Sequence, residues 1–78
     1  MKVALKLPRI SMNMEEATIV GWRVKPGDSF EAGDILYEIE TEKATTEVEA
    51  PCAGKLVEIV ADVDDIAEVG GVVCRIEQ

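Results

Sequence analysis

The chain has 78 residues, which is enough for one small domain with a single modest core. Hydrophobic residues make up 47% of the sequence, so we expect the chain to fold rather than remain disordered. Its 16 acidic and 8 basic residues give a net charge of −8, which argues against binding to the phosphate backbone of nucleic acids. This charge suits a soluble module that meets basic patches on protein partners, or it serves solubility alone.

The residue types that are missing or rare exclude several kinds of chemistry. The sequence contains no histidine, so it offers no Ser/His or Cys/His catalytic arrangement. No apolar run approaches the roughly 18 residues that a membrane span needs, and the first residues lack the pattern of an export signal. We therefore expect a reducing compartment, in which Cys52 and Cys74 are free thiols that act as small packing residues.

The hydrophobic pattern predicts strands and turns along the chain. Five strands are predicted, in chain order, at residues 3–7, 19–24, 35–40, 56–60 and 72–76. The turn signal Lys-Pro-Gly-Asp at residues 25–28 follows the second strand, in which Trp22 is expected to be a packing residue. Because glycine and proline recur at short intervals and no window has a helical stripe, the sequence predicts an all-β sandwich or barrel.

The stretch from residue 35 to residue 50 is predicted to form a hairpin folded about Glu42 and Lys43. The predicted pairs are Ile39 with Thr46, Tyr37 with Val48, and Ile35 with Ala50. These residues give an apolar face that can meet the core, and a slip of one residue would turn the acidic face inward. The other face would carry Leu36, Glu38, Glu40, Thr45, Glu47 and Glu49. Glu38 opposite Glu47 should cost a little stability.

An internal repeat links the two halves of the chain. A shift of 37 residues aligns residues 17–40 with residues 54–77, and six of the 24 aligned pairs are identical. Two similar β units of this size predict two sheets related by a pseudo-twofold axis. The position equivalent to Lys43 would fall just after Gln78, so we expect the C-terminus at the end opposite the Lys43 hairpin.

The sequence Glu-Thr-Glu-Lys-Ala-Thr at residues 40–45 resembles the lipoylation motif of the acyltransferase (E2) component of 2-oxo acid and acetoin dehydrogenase complexes. The match continues at residues 7–8, 11–22, 24–28, 49–51 and 54. The resemblance implies a flattened barrel of two four-stranded antiparallel sheets, one with the termini and one with the Lys43 hairpin. One departure is the turn Asp64-Asp65, preceded by Val63, where the family usually has Gly-Asp. Residues 1–78 would be a single lipoyl domain, expected to be the N-terminal domain of a longer acyltransferase chain.

The resemblance also assigns roles around Lys43. It implies that lipoic acid is attached to Lys43 as a covalent amide by a lipoate ligase or lipoyl transferase. Thr41, Glu42 and Ala44 would help these enzymes recognise the lysine. Contacts with the thiamine-dependent decarboxylase (E1) are expected at Met12, Asn13, Met14, Glu15 and Glu40. Met12 and Met14 could equally belong partly to the core.

The implied function is that of a carrier without catalytic residues or a metal site. Acyl groups and reducing equivalents would pass between the decarboxylase, the acyltransferase core (E2) and a flavin-dependent dihydrolipoamide dehydrogenase (E3). The domain itself is expected to be monomeric, with no nucleic-acid or membrane partner. Its expected location is the bacterial cytoplasm, or the mitochondrial matrix in a eukaryote.

Three alternatives stay open at this stage. A biotinyl carrier domain has the same fold, but that family usually brackets its lysine with methionines, whereas Glu42 and Ala44 flank Lys43. A glycine-cleavage carrier protein is also lipoylated, but it is normally longer and has extra helices. A β interaction module without a cofactor would explain the charge and the fold and leave the lysine motif to coincidence.

Overall fold

The computed structural model describes residues 1–10, 12, 14–42 and 44–78. Its strands are β1 (Lys2–Lys6), β2 (Glu16–Trp22), β3 (Ser29–Phe30), β4 (Ile35–Glu40), β5 (Thr45–Glu49), β6 (Gly54–Ile59), β7 (Ile66–Glu68) and β8 (Val72–Glu77). They form two four-stranded antiparallel sheets with strand orders β1-β8-β6-β3 and β5-β4-β2-β7. The fold class implied by the resemblance is confirmed, with the termini in one sheet and the hairpin in the other. The described ranges contain no helix that could cross a membrane.

The two shortest strands, β3 and β7, were not among the strands predicted from the hydrophobic pattern. They have two and three residues, which is too short for a two-residue period to stand out in the sequence. Each is held by its pairing with a longer strand, β3 with β6 and β7 with β2. They take equivalent places in the repeat, because the shift of 37 residues carries β3 onto the start of β7.

The pseudo-twofold symmetry predicted from the repeat is confirmed by the backbone hydrogen bonds. The amide of Gly27 donates to the carbonyl of Leu56 at 2.7 Å, and the amide of Asp64 donates to the carbonyl of Ile19 at 2.7 Å. The two bonds are equivalent, because Asp64 lies 37 residues after Gly27 and Leu56 lies 37 residues after Ile19, which is the repeat length. The two halves are therefore joined by matching bonds, each made by a turn of one half to a strand of the other.

The core lies between the two sheets and consists of hydrophobic side chains. The side chains with less than 2% exposure include Leu7, Ile19, Leu36, Ile39, Leu56, Val73, Cys74 and Ile76. Burial raises the pKa of the Cys74 thiol to about 11, because the interior disfavours the thiolate. Cys52 is a half-buried free thiol that packs against the core. The expectation that both cysteines are packing residues is confirmed.

The hairpin register is confirmed near the turn but is wrong at its far end. Tyr37 pairs with Val48 as predicted, but Ile35 pairs with Glu49 and not with Ala50. The register shifts between Ile35 and Tyr37, which makes Leu36 the extra residue of a β-bulge. As a result, Leu36 is buried with 1% exposure, whereas the sequence placed it on the acidic face. Ile35 is only half-buried.

The same bulge occurs in the other half of the molecule. The pairing of β1 with β8 joins Leu5 to Cys74 and Lys6 to Val72, which leaves Val73 as the extra residue. Val73 is the repeat equivalent of Leu36, and it is fully buried. The bulge is therefore a feature of the repeated unit, and it turns two consecutive side chains toward the core in each half.

The like-charged pair Glu38 and Glu47 lies opposite as predicted, and a cation stands beside it. Arg23 donates from Nε to Oε1 of Glu38 at 2.7 Å, and its guanidinium nitrogen lies 3.5 Å from Oε2 of Glu47. The hydrogen bond and the charge of Glu38 raise the pKa of Arg23. Arg23 thus offsets the predicted repulsion, to a modest extent because the group is exposed to solvent.

Trp22 is a packing residue, as expected. Its indole Nε1 donates to the backbone carbonyl of Ala61 at 2.8 Å, and its ring centroid lies 4.7 Å from that of Tyr37. The hydrogen bond satisfies the indole donor where the ring is partly buried against the core.

The turn at Asp64-Asp65 keeps the geometry of its counterpart despite the change of sequence. Gly27 has a φ of 100°, and its equivalent Asp64 has a φ of 74°, which is the left-handed region that favours glycine. Asp28 Oδ2 accepts from the Lys25 amide at 3.0 Å, and Asp65 Oδ2 accepts from the Asp62 amide at 3.0 Å. The shared aspartate therefore holds both turns, while Asp64 takes a conformation that glycine would adopt more easily.

We expect Asp64→Gly to raise the free energy of unfolding by up to about 1 kcal/mol, because glycine adopts a positive φ without steric cost. Part of this gain is offset by the greater freedom of glycine in the unfolded chain. Urea denaturation followed by Trp22 fluorescence measures the change. Asp65→Gly is the matched control and should lower stability, because it removes the hydrogen bond to the Asp62 amide. A loss of stability in Asp64→Gly would contradict the prediction.

Candidate functional site

The β4–β5 hairpin ends in a turn that is closed by two hydrogen bonds to one backbone carbonyl, that of Ala44. Thr41 donates to the carbonyl oxygen of Ala44 from its backbone amide at 2.9 Å and from its hydroxyl Oγ1 at 3.2 Å. The last strand pair below this turn is Glu40 with Thr45. Lys43, the predicted attachment residue, lies outside the described residues. Its chain neighbours Glu42 and Ala44 belong to this closed turn.

An open groove of about 730 Å³ runs beside the hairpin turn. Its walls come from the β1–β2 loop, from β2 and β7, and from the hairpin itself. Seven of the predicted site residues line it, namely Met12, Met14, Glu15, Glu40, Thr41, Glu42 and Ala44. The fold thus brings the residues predicted as partner contacts next to those predicted around the lysine. Asn13, the remaining predicted contact, lies outside the described residues.

The two methionines of the loop have different environments. Met14 is 4% exposed and belongs to the core, whereas Met12 is 87% exposed. The alternative that Met14 is a core residue is therefore correct, and Met12 is the methionine whose side chain faces solvent. Met14 belongs to the core and also lines the groove, so this part of the groove is also part of the core packing.

Sequence reasoning missed two exposed apolar residues of the groove, Ile10 and Ile66. Ile66 comes from β7 and is 65% exposed, and Ile10 comes from the β1–β2 loop and is 44% exposed. The repeat contained a signal for Ile66, because its equivalent in the first half is the polar residue Ser29. An apolar residue that replaces a polar one at an exposed position is a candidate for binding.

The groove is rich in carboxylates. Glu15, Glu16, Glu40 and Glu42 line it, and all four are exposed. Within the part of the chain that the structure describes, no group of three or more carboxylates and thiols is arranged to hold a metal ion. The site is therefore an acidic groove with apolar walls.

The termini lie at the end of the domain away from the hairpin turn, as expected. The start of β8 is near the groove, because the Val69 amide donates to the carbonyl of Glu15 at 2.9 Å. The strand then runs away from the groove to Glu77. At its far end the amino group of Met1 donates to the carbonyl of Gln78 at 2.9 Å, and the backbone amide of Gln78 donates to the carbonyl of Met1 at 2.9 Å.

Comparison with protein families assigns the chain to a class. The family model for biotin and lipoyl attachment, described as "Biotin-requiring enzyme", matches residues 3–76. The chain therefore belongs to the biotin/lipoyl-attachment family. A domain of this class is a carrier and is not catalytic by itself.

Curated relatives and solved structures resemble the chain over most of its length. It is 40% identical, over 92% of its residues, to the dihydrolipoyllysine-residue acetyltransferase component of the pyruvate dehydrogenase complex of Corynebacterium glutamicum, of which it covers 11%. The solution structure of the lipoyl domain of the 2-oxoglutarate dehydrogenase complex from Azotobacter vinelandii matches with a TM-score of 0.76 at 26% identity, over 97% of this chain and 96% of that one. The crystal structure of the Kluyveromyces lactis urea carboxylase matches with a TM-score of 0.78 at 26% identity, over 97% of this chain and 6% of that one.

The fold does not distinguish the lipoyl branch of the family from the biotinyl branch, but the sequence favours the lipoyl branch. The structural similarity to the lipoyl domain and that to the carboxylase are about equal. The similar curated relatives, in contrast, are components of 2-oxo acid dehydrogenase complexes, and Glu42 and Ala44 stand where biotinyl domains usually have methionines. The similarity therefore lies with the lipoyl domains of acyltransferase components, and the resemblance seen in the sequence is confirmed. The chain spans 11% to 18% of the length of the curated relatives it matches.

Proposed function

We propose that the chain is a lipoyl carrier whose lipoic acid is bound as an amide to the ε-amine of Lys43. The observation that carries this proposal is the closed turn at the hairpin end. Two hydrogen bonds from Thr41 to the Ala44 carbonyl fix the backbone on both sides of Glu42 and Lys43. A closed turn would present this part of the chain to a modifying enzyme in a defined form, and a lysine side chain has a flexible stem that suits attachment of an arm.

The modification itself needs little from this chain. A lipoate ligase would activate the lipoate carboxyl group with ATP, and the free ε-amine would displace the nucleotide to form the amide and release a proton. The reaction removes the positive charge of the lysine. Thr41 would act by holding the turn, and Glu42 and Ala44 would be the side chains nearest to the enzyme. A lipoyl transferase is the alternative modifying enzyme.

When bound, lipoic acid would supply a dithiolane that can carry an acyl group and two electrons. The proposed donor of both is a thiamine-dependent decarboxylase. The acyl group would pass to coenzyme A at an acyltransferase core, and dihydrolipoamide dehydrogenase would restore the oxidised form. The chain contributes tethering and orientation. Met12, Glu15 and Glu40 line the groove beside the turn and are proposed contacts for the decarboxylase, which would meet them with basic and apolar groups. We further propose that the module is part of a larger acyltransferase protein, which the length of its relatives supports. The proposed state of the domain itself is monomeric.

Incubation with lipoate ligase, ATP and lipoate tests the proposal directly. We expect one lipoyl adduct by intact mass, located on Lys43 by peptide fragmentation and absent from Lys43→Arg. Lys55→Arg, in β6 of the other sheet, is the matched control and should be modified as fully as the parent chain.

A parallel reaction with biotin and a biotin ligase tests the second branch of the family, which the match to the urea carboxylase keeps in view. A biotin adduct without a lipoyl adduct would assign the chain to the biotinyl branch. No adduct in either reaction, on folded protein and with ligases active on another substrate, would favour an interaction module without a cofactor.

A further inference from the structure

The groove beside the hairpin is not required by the pseudo-symmetric fold. Leu7 and Ala50 are equivalent, because each accepts from the amide of the matching glycine, Leu7 from Gly70 at 3.0 Å and Ala50 from Gly33 at 2.9 Å. Nine residues separate Leu7 from Ala17, but only three separate Ala50 from the equivalent residue Gly54. The hairpin end thus has six more residues in its connection than the other end, and Ile10, Met12, Met14 and Glu15 of this longer connection line the groove.

The groove exposes apolar side chains, and one of them, Ile66, replaces a polar residue of the other half. Ile66 pairs with Thr18 in the hairpin sheet, and the equivalent pair in the other sheet is Ser29 with Lys55. Ile66 is 65% exposed and Met12 is 87% exposed, and both line the groove with Ile10. These apolar groups meet at a surface groove and are not buried in the core. Such an arrangement indicates a ligand.

We propose that this groove is a docking site for the chain's own lipoyl group, an inference that rests on the lipoylation of Lys43 proposed above. The occupant follows from continuity, because Glu42 and Ala44 line the groove and are the chain neighbours of Lys43. A group attached there reaches the groove without a second binding event, and its high effective concentration makes a weak apolar contact sufficient.

The chemistry of the groove matches this occupant. The alkyl chain, amide and dithiolane of a lipoyl group carry no charge, so they do not meet repulsion from the four groove carboxylates Glu15, Glu16, Glu40 and Glu42. The same carboxylates oppose an anionic occupant such as a nucleotide or coenzyme A. Ile10 and Ile66 offer aliphatic surface, and the thioether of Met12 offers a soft, adaptable contact to sulfur.

With docking, the arm would exchange between a docked state and a free state. In the docked state the dithiolane is shielded from water and from reductants in solution. In the free state it is available to an active site. A partner that contacts Met12 and Ile66 would compete with the docked arm and so favour its release at the place where it is needed. The groove would therefore couple recognition of the domain to delivery of the arm.

Methyl NMR of the lipoylated domain tests the docking. We expect nuclear Overhauser effects between the lipoyl protons and the methyl groups of Ile10, Met12 and Ile66, with shifts of those methyl resonances upon lipoylation. Lys43→Gln removes the lysine charge without adding an arm, so its methyl shifts give the effect of charge alone. Shifts as large in Lys43→Gln, or the absence of lipoyl contacts to all three methyl groups, would overturn the proposal.

Reduction of the dithiolane by a water-soluble phosphine gives a second measurement. The rate should rise by about threefold in lipoylated Met12→Ser and Ile66→Ser, because the arm loses apolar surface in the groove. Ile66→Ser introduces the residue that the other half has at this position, and Met12 is in a loop, so both variants should fold. Val57→Ser is the control, since Val57 is 38% exposed on a strand of the other sheet. Equal rates in all four proteins would contradict docking.

These outcomes separate the two proposals. If the ligase adds no lipoyl group to Lys43, the carrier function fails, and the docking proposal fails with it. If the domain is lipoylated but shows neither contacts nor shielding, only the docking proposal fails. Methyl shifts that appear with the decarboxylase but not with lipoylation would assign the groove to the partner enzyme instead of the arm.

Discussion

We expect Leu36→Ala to lower the free energy of unfolding by about 2–5 kcal/mol, the usual cost of emptying a buried leucine site. Leu36 is 1% exposed and lies at a bulge that turns it toward the core beside Tyr37. Because the core is shared by both sheets, the cavity would lie at the centre of the domain. Urea denaturation followed by fluorescence measures the loss, with Trp22 as the only tryptophan and in ring contact with Tyr37.

Ile35→Ala is the control for this prediction, and it removes one side chain from the neighbouring position. Ile35 is half-buried, so its truncation should cost about 1 kcal/mol, well below the cost at Leu36. A regular hairpin without the bulge reverses this order, because it places Ile35 inside and Leu36 outside. A greater loss in Ile35→Ala than in Leu36→Ala would therefore show that the bulge is absent in solution.

The bulge also explains how far the fold could be predicted from the sequence. Alternation located β4 and β5 and paired them correctly from Tyr37 to the turn, because the two-residue period holds there. It failed at Leu36, where one extra residue shifts the period. A signal was available, since three consecutive apolar residues occur at 35–37 and again at the equivalent positions 72–74. A break in alternation that recurs at the same place in a repeat indicates a bulge.

The candidate site was predictable where a motif marks it and not where tertiary structure creates it. The motif around Lys43 and the loop with Met12 could be assigned from the resemblance, and the fold brings that loop to the hairpin turn. Ile66 could not be assigned in this way. The repeat marks it only as an apolar residue opposite the polar Ser29, and the pairing of β7 with β2 is what places it, exposed, in the groove beside the turn.

We expect Gly54→Ala to lower the free energy of unfolding by about 1–3 kcal/mol, the range for overfilling a packed site. A Cβ at Gly54 would lie 2.9 Å from the backbone carbonyl oxygen of Glu77 and 3.5 Å from Cζ of Phe30. The first contact is shorter than real Cβ contacts, and the oxygen belongs to the neighbouring strand β8, so relief requires a shift of backbone. Denaturant unfolding of the unmodified domain measures the cost.

Gly21→Ala is the matched control, because Gly21 is also a strand glycine but a Cβ there would meet nothing within 4 Å. It should be neutral or stabilise the domain by up to about 1 kcal/mol through the unfolded chain. Equal effects in the two variants would mean that β6 and β8 are not closely packed at Gly54.

Only one half of the repeat has a glycine at this position, since the equivalent of Gly54 is Ala17. The pair of Phe30 with Gly54 in one sheet corresponds to the pair of Ala67 with Ala17 in the other, so a large and a small residue replace two small ones. Phe30→Ala should nevertheless fail to rescue Gly54→Ala, because the nearest atom is the Glu77 carbonyl oxygen and not the Phe30 ring. A rescue would show instead that the ring sets the spacing of the strands at this end of the domain.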